Sequence, residues 1–235
     1  IGRAAMALEN TLILHAADLG GLMEVAREDT ALTQLRAKLS RRGEGASASN
    51  AGASSASEQH TSLTAALAQR VERLLALSNA TRIAIWSANG QLLVTRGHNV
   101  SSLARPSDEQ IRRVMRGEPV IDIRGALESA RIQALGPLPA AQADGLSSGI
   151  VMAEFELSPK VLRSVVALHD VDMGLVSDTG GIIQATPGGE KLLAKVSPKQ
   201  WVGKIGPVRL DVGSDVSALA YPMKIGDSSV ALLMS

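Results

Sequence analysis

The chain has 235 residues, 45% hydrophobic and 20% charged, enough for one large or two small packed domains and too apolar for global disorder. Lys+Arg total 24 and Asp+Glu 23; the formal net charge of +1 leaves no electrostatic footprint for nucleic acid or an acidic membrane surface. Cysteine is absent, which excludes disulfides, thiolate metal sites and Cys nucleophiles, and Trp86, Phe155, Trp201 and Tyr221 are too few aromatics for stacking platforms or cages.

Residues 3–42 read as one long helix, without Pro and with a heptad-like seam of Leu8, Leu12, His15, Leu19, Leu22 and Ala26. At 1.5 Å per residue it would run about 60 Å, long enough to pass two modules or to pair with a second copy. Gly43 to Ser57, 13 of whose 15 residues are Ser, Ala or Gly, reads as a flexible loop. Glu58 to Asn79 reads as a second helix with Leu63, Leu67, Arg70, Leu74 and Leu77 on one stripe.

After Ala80 the period drops to two. Thr81 to Trp86 is a strand, Ser87-Ala88-Asn89-Gly90 a hairpin turn, and Gln91 to Arg96 the return strand. Ser107-Asp108-Glu109 caps a short helix that Gly117 ends. Pro119 to Arg124, Ala130 to Leu135 and Ile150 to Leu157 complete a five-stranded antiparallel sheet. Pro159 to Leu168 reads as a connecting helix capped by Ser158. The pattern then partly repeats. Ser87 to Leu93 matches Ser177 to Ile183 at an offset of 90, and Ala134 to Leu138 matches Leu219 to Met223 at an offset of 85, as a shorter second copy would. Ile1-Gly2-Arg3 has neither a starter Met nor a signal-peptide layout, and the chain stops in an apolar run, Val230 to Met234. Both ends read as cut from a larger protein. No apolar run approaches the roughly 18–20 residues of a membrane span.

This layout, over essentially the whole chain, resembles the double Cache sensor domains of bacterial transmembrane receptors: chemoreceptors, sensor histidine kinases and diguanylate cyclases. Arg96-Gly97-His98 looks like the family's Arg-x-His after the second strand, and Glu109 to Gly117 like its helix ending in Gly. Ile150 to Leu157 looks like the closing strand, and Asp172-Met173-Gly174-Leu175-Val176 like the opening of the membrane-proximal module. Two departures stand out. Arg105-Pro106-Ser107-Asp108 replaces the family's Gly-Asp, and the set that holds an α-amino acid cannot be complete with one Tyr, so no amino-acid ligand is expected. The resemblance implies an α+β fold, a long N-terminal helix with two PAS-like Cache antiparallel-sheet modules in tandem. Residues 1–79 would hold the long helix, loop and second helix, 80–158 the membrane-distal module, and 159–235 the linker helix and smaller membrane-proximal module. It also implies the periplasmic or extracytoplasmic part of an inner-membrane protein, attached through flanking segments outside this chain.

Strand alternation gathers polar residues on one face: Arg96, Asp122, Arg124, Arg131, Gln133 and Glu154, with Trp86 at the edge. The expected ligand contacts are Trp86, Arg96, His98, Asp122, Arg124 and Gln133, with Arg as a bidentate donor to a carboxylate or phosphate. A solvated sheet face is the alternative. Four scattered His form no metal pair, Asp178-Thr179-Gly180-Gly181 reads as a turn rather than a Ca²⁺ loop, and no phosphate loop or nucleophile elbow occurs. No cofactor, no metal and no catalytic activity are expected. The expected function is detection of a small polar molecule, an anion included, and transmission of a helix shift across the membrane. The expected partners are that ligand and a second copy through the long helix; the alternative is a ligand-free structural spacer.

Overall fold

The computed structural model describes residues 2–45, 53–98, 103–126, 130–139, 149–158, 172–212 and 218–235. The connecting helix expected at 159–168 lies outside them, as do His169 and Asp215.

The N-terminal pattern folds as two helices rather than one. Helix α1 spans Gly2–Glu28 and α2 spans Thr30–Gly45. The break is at Asp29, which acts as an N-cap: its Oδ1 accepts the Leu32 N–H at 3.0 Å and its carbonyl accepts the Thr33 N–H at 3.1 Å. Its Oδ2 accepts from Arg70 Nε at 2.5 Å, which ties the break to helix α3, Ala53–Ala76. The seam of α1 is buried within this chain: Leu8, Leu12, Leu19, Leu22 and Ala26 are all at most 7% exposed. It is therefore core, not a free dimer seam. The opposite face of α1 carries Met6, Ile13, Leu14 and Val25, all exposed.

Two five-stranded antiparallel sheets follow. The first holds β1 (Arg82–Ser87), β2 (Leu92–Gly97), β3 (Val120–Arg124), β4 (Arg131–Leu138) and β5 (Gly149–Glu156) in the order β2-β1-β5-β4-β3, with helix α4 (Asp108–Met115) between β2 and β3 in the chain. The second holds β6 (Met173–Ser177), β7 (Ile182–Ala185), β8 (Val208–Leu210), β9 (Ala218–Ile225) and β10 (Ser228–Met234) in the order β7-β6-β10-β9-β8, with helix α5 (Pro187–Leu193) after β7. The two orders are the same permutation, so the repeat in the sequence is a repeat of topology. It extends to atoms. In the first hairpin Ser87 Oγ accepts the Gln91 N–H and the Gly90 N–H meets the Ser87 carbonyl; in the second, Ser177 Oγ accepts the Gly181 N–H and the Gly180 N–H meets the Ser177 carbonyl. Gly90 at φ 76° and Gly180 at φ 86° occupy the left-handed region that glycine enters without strain. Even the bulges coincide, between Ile85 and Trp86 and between Leu175 and Val176.

By density of contacts the chain divides into two compact units. One comprises Asp18–Val120 with Gln133–Phe155; the other comprises Ile1–Ala17, Ile121–Ile132 and Glu156–Ser235. In the former, Ser107 and Gln110 form a reciprocal capping box at the start of α4. That helix presents Val114 to a core of Ala84, Trp86, Val120, Leu135, Ile150 and Met152, flanked by Leu103, Ile111 and Met115. In the latter, Leu192 of α5 and Trp201 pack on Val176, Ala218, Ala220, Ala231 and Leu233. Thr186 caps α5, and Pro187, Gly188 and Gly189 form its first turn.

Candidate functional site: a buried polar cluster on the first sheet

Residues directly opposite each other in an antiparallel pair share a sheet face. The β1–β5 register pairs Arg82 with Glu154, Ala84 with Met152 and Trp86 with Ile150, so these six share the face covered by α4. Arg82 and Glu154 form a buried ion pair with side chains 4% and 2% exposed. Arg82 Nε donates to Glu154 Oε2 at 2.6 Å and Nη2 donates to the same oxygen. Gln133 Nε2 donates to the other oxygen, Oε1, at 2.9 Å and lies 3.2 Å from Met152 Sδ. Both carboxylate oxygens are thus engaged.

Two buried polar atoms on this face have no hydrogen-bond partner among the described residues: Trp86 Nε1, a donor, and Gln133 Oε1, an acceptor. Gln133 touches Met152 through its amide, and Trp86 belongs to the apolar cluster that contains Met152. An unsatisfied buried polar atom costs about 1–3 kcal/mol. The repeat tests whether the fold requires these groups. The residue equivalent to Trp86 in the second sheet is Val176, and the residue equivalent to Gln133 is Ala218; both belong to an apolar core. The same topology is therefore built without either polar side chain.

The six expected contact residues do not form one group. Trp86 and Gln133 share the α4 face, with Gln133 level with Arg82 and Glu154 and Trp86 four residues further along, opposite Ile150. Arg96 pairs with Ile83, which puts it on the opposite face from Trp86; it is exposed and its Nη1 donates to the Thr95 carbonyl at 2.9 Å. His98 is exposed, and its N–H donates to the Thr81 carbonyl at 3.0 Å. Asp122 and Arg124 belong to the other unit. There Arg124 Nε donates to Asp122 Oδ2 at 3.2 Å, and the pair lines an open recess of about 510 Å³ with Ser177, Asp178, Asp227 and Ser228. Glu154 stood in the expected polar set, but Arg82 did not; its place at i−4 from Trp86 on an alternating strand was the available signal.

The other fully buried arginine near this sheet, Arg36 of α2, has its Cδ 2.7 Å from the position a Cβ on Gly149 would take. Gly149 alternates with Ile150, so Arg36 lies on the reverse face. Burial lowers its pKa from the ordinary arginine value. Among the described residues no group of three His, Asp or Glu side chains is placed to hold a metal ion, and no helix is long and apolar enough to cross a membrane.

No family model and no curated protein matches the sequence. Solved structures do. The ligand-binding domain of the Pseudomonas aeruginosa amino acid chemoreceptor PctC, in complex with GABA, covers 99% of this chain and is covered over 96% of its own length, at 14% identity and a TM-score of 0.54. The sensor domain of the Vibrio cholerae histidine kinase DctB covers 97% of this chain and is covered over 94%, at 8% identity and a TM-score of 0.55. An extracellular ligand binding receptor from Desulfohalobium retbaense matches 72% of this chain at 16% identity and a TM-score of 0.49; the chain spans about a third of that receptor's length, 32%. The chain shares the fold of the PctC and DctB domains, an α+β architecture with two antiparallel-sheet modules in tandem.

Proposed function

We propose that this chain is the extracytoplasmic ligand-binding domain of a signal-transducing membrane receptor, and that a small polar molecule binds beneath α4 on the first sheet. The observation that carries the reading is the pair of unsatisfied buried atoms, Trp86 Nε1 and Gln133 Oε1, at positions where the repeated module has Val176 and Ala218. A fold that does without these groups in one copy keeps them in the other for a partner outside the chain. Trp86 and Gln133 are the ligand contacts in this reading. Arg96, His98, Asp122 and Arg124 are not, because Arg96 lies on the other face of the sheet, His98 is exposed and the last two line a different recess.

The route of the signal follows from alternation along β1. Ala84 and Trp86 face α4, while Ile83 and Ile85, fully buried, face the reverse side, and α3 packs on this strand. A ligand that shifts Trp86 shifts the surface on which a helix rests, and close-packed interfaces respond in discrete steps. Residues 80–158 serve as the sensing module. Residues 159–235 serve as a relay, a role supported by the apolar filling of the second sheet's core. Two copies associate through Met6, Ile13, Leu14 and Val25 of α1, the apolar face left exposed. The domain performs no catalysis.

A thermal-shift screen of the purified chain against organic acids, phosphates, amines, amides and nucleobases tests this. A ligand at 100 times its Kd adds about 2.7 kcal/mol, which raises the melting midpoint by roughly 5–10 °C for a chain of this size. A hit is the expected result. A flat response across the panel would favour a ligand-free spacer.

A further inference from the structure

We infer that the loop between α5 and β8 rests on an anionic lipid surface, with Val202 and Ile205 entering it and Lys199 and Lys204 meeting its headgroups. The reading above enters only in keeping a membrane within reach of the chain. Ile205 is the most exposed large hydrophobic residue among the described residues, at 102%, and Val202, three residues earlier, is 44% exposed. Side chains so placed add nothing to the core, and water is their least favourable surrounding.

The tip stands out because its foot is fixed. A 3₁₀ turn, Pro198–Gln200, leads into it, and the Pro198 carbonyl accepts the Trp201 N–H at 3.1 Å and the Val202 N–H at 2.9 Å. Trp201 is buried in the core of the second sheet. The Gln200 side chain accepts the Asp211 N–H at 2.9 Å and donates to the Asp211 carbonyl at 3.3 Å, which closes the loop across its base. Gly203 and Gly206, at φ 75° and 77°, turn the chain on either side of Lys204 and Ile205. One large apolar residue is thus anchored inward and two are presented outward.

The formal charge of +1 over the whole chain hides an uneven distribution. From Pro187 to Leu210 there are Lys191, Lys195, Lys199, Lys204 and Arg209, all exposed, and one acid, Glu190. Asp211 is exposed at the base of the loop, and Glu9 and Asp178 line the recess of about 500 Å³ that the loop borders, together with Lys204 and Lys224. A basic excess remains beside these neighbours. A specific protein interface buries about 800 Å² per partner around an apolar centre poor in lysine. Two aliphatic side chains among lysines on a loop tip do not provide one. A lipid surface requires no more than this: aliphatic groups that reach the acyl boundary, and lysine stems that lie along it while their ammonium groups stay among phosphates. A contact of this size is weak in isolation, and a membrane tether makes it sufficient by holding the loop at high effective concentration.

Because the chain lacks cysteine, Ile205→Cys and Leu77→Cys each carry a single environment-sensitive fluorophore, the second at an exposed apolar residue of the other unit. The labelled chain is held by a C-terminal histidine tag on vesicles containing a nickel-chelating lipid, made otherwise of phosphatidylcholine alone or of phosphatidylcholine and phosphatidylglycerol in equal parts. The label at position 205 is expected to shift its emission to the blue on the anionic vesicles only, and the label at position 77 on neither. Adding Lys199→Glu with Lys204→Glu, both at exposed positions, should reduce the shift at least fivefold at an unchanged melting midpoint. No shift at 205, the same shift on both kinds of vesicle, or a shift that the charge reversals leave unaltered would overturn the lipid contact. A shift that appears without vesicles as the protein concentration rises would assign the loop to a protein contact instead. The emission is read with no small ligand present, so silence in the thermal-shift screen and silence here are separate results.

Discussion

Glu154 accepts from three donors, Arg82 Nε, Arg82 Nη2 and Gln133 Nε2, at a position 2% exposed. Removing one partner of such a pair leaves the other charged and buried, which costs about 3–5 kcal/mol. Glu154→Ala should therefore lower the melting midpoint on the order of 10 °C in a chain of this length. Glu109→Ala, which breaks the solvent-exposed pair with Arg112, should leave the midpoint unmoved, because solvent already screens that pair. Differential scanning calorimetry of the two variants beside the parent decides this; equal effects would mean that the buried pair is not a structural clamp. At this scale the shared sheet face of Trp86 and Gln133 was legible from alternation. Arg96 was not. Extending the Trp86–Leu92 pairing down the strand without interruption would set Arg96 across from Arg82 and on the α4 face. The bulge shifts the register by one residue, pairs Arg96 with Ile83 and turns it to the other side. A one-residue bulge leaves no mark on a period-two pattern this short.

Among the elements, the hairpins were the most legible. Their turn sequences carry the Gly that the turn requires, and the two copies reproduce the same Ser-centred hydrogen bonds. The α1–α2 break was hidden because the apolar spacing continues through it, with Ala26 and Leu32 both buried. What marks it is capping chemistry, Asp29 followed by Thr30, rather than periodicity. The same helix shows why a heptad seam does not by itself identify a dimer contact: α1 is apolar on two sides, and its regular seam is spent on the chain's own core. Ala17 and Gly21 lie on the exposed side with Leu14 and Val25, where small residues permit close approach of a second helix. The absence of cysteine makes this testable without background. Leu14→Cys, oxidised in dilute solution, should give a disulfide-linked dimer on a non-reducing gel, and Ser229→Cys, exposed on β10, should not. Equal cross-linking at both positions, or none at Leu14→Cys, would remove α1 as the contact.

At the scale of the whole molecule, two sheets of one strand order have diverged in what they bury. The second holds Val176 and Ala218 where the first holds Trp86 and Gln133. The tandem architecture was readable in the sequence because turns, periods and the two offsets are local signals. The site was only partly readable because its defining contact joins residues 72 positions apart, Arg82 and Glu154. That contact neutralises the charge that a list of polar residues on one face would assign to a ligand. The sensing account rests on an indole donor that waits for an external acceptor. The chain has two tryptophans, Trp86 and Trp201, so a ¹⁵N–¹H correlation spectrum contains two indole Nε1–H signals, which Trp86→Phe assigns. Titration with the compound that most stabilises the chain should move the Trp86 signal downfield as its hydrogen bond forms and leave that of Trp201 in place. A Trp86 signal that stays fixed while the compound binds would contradict the account.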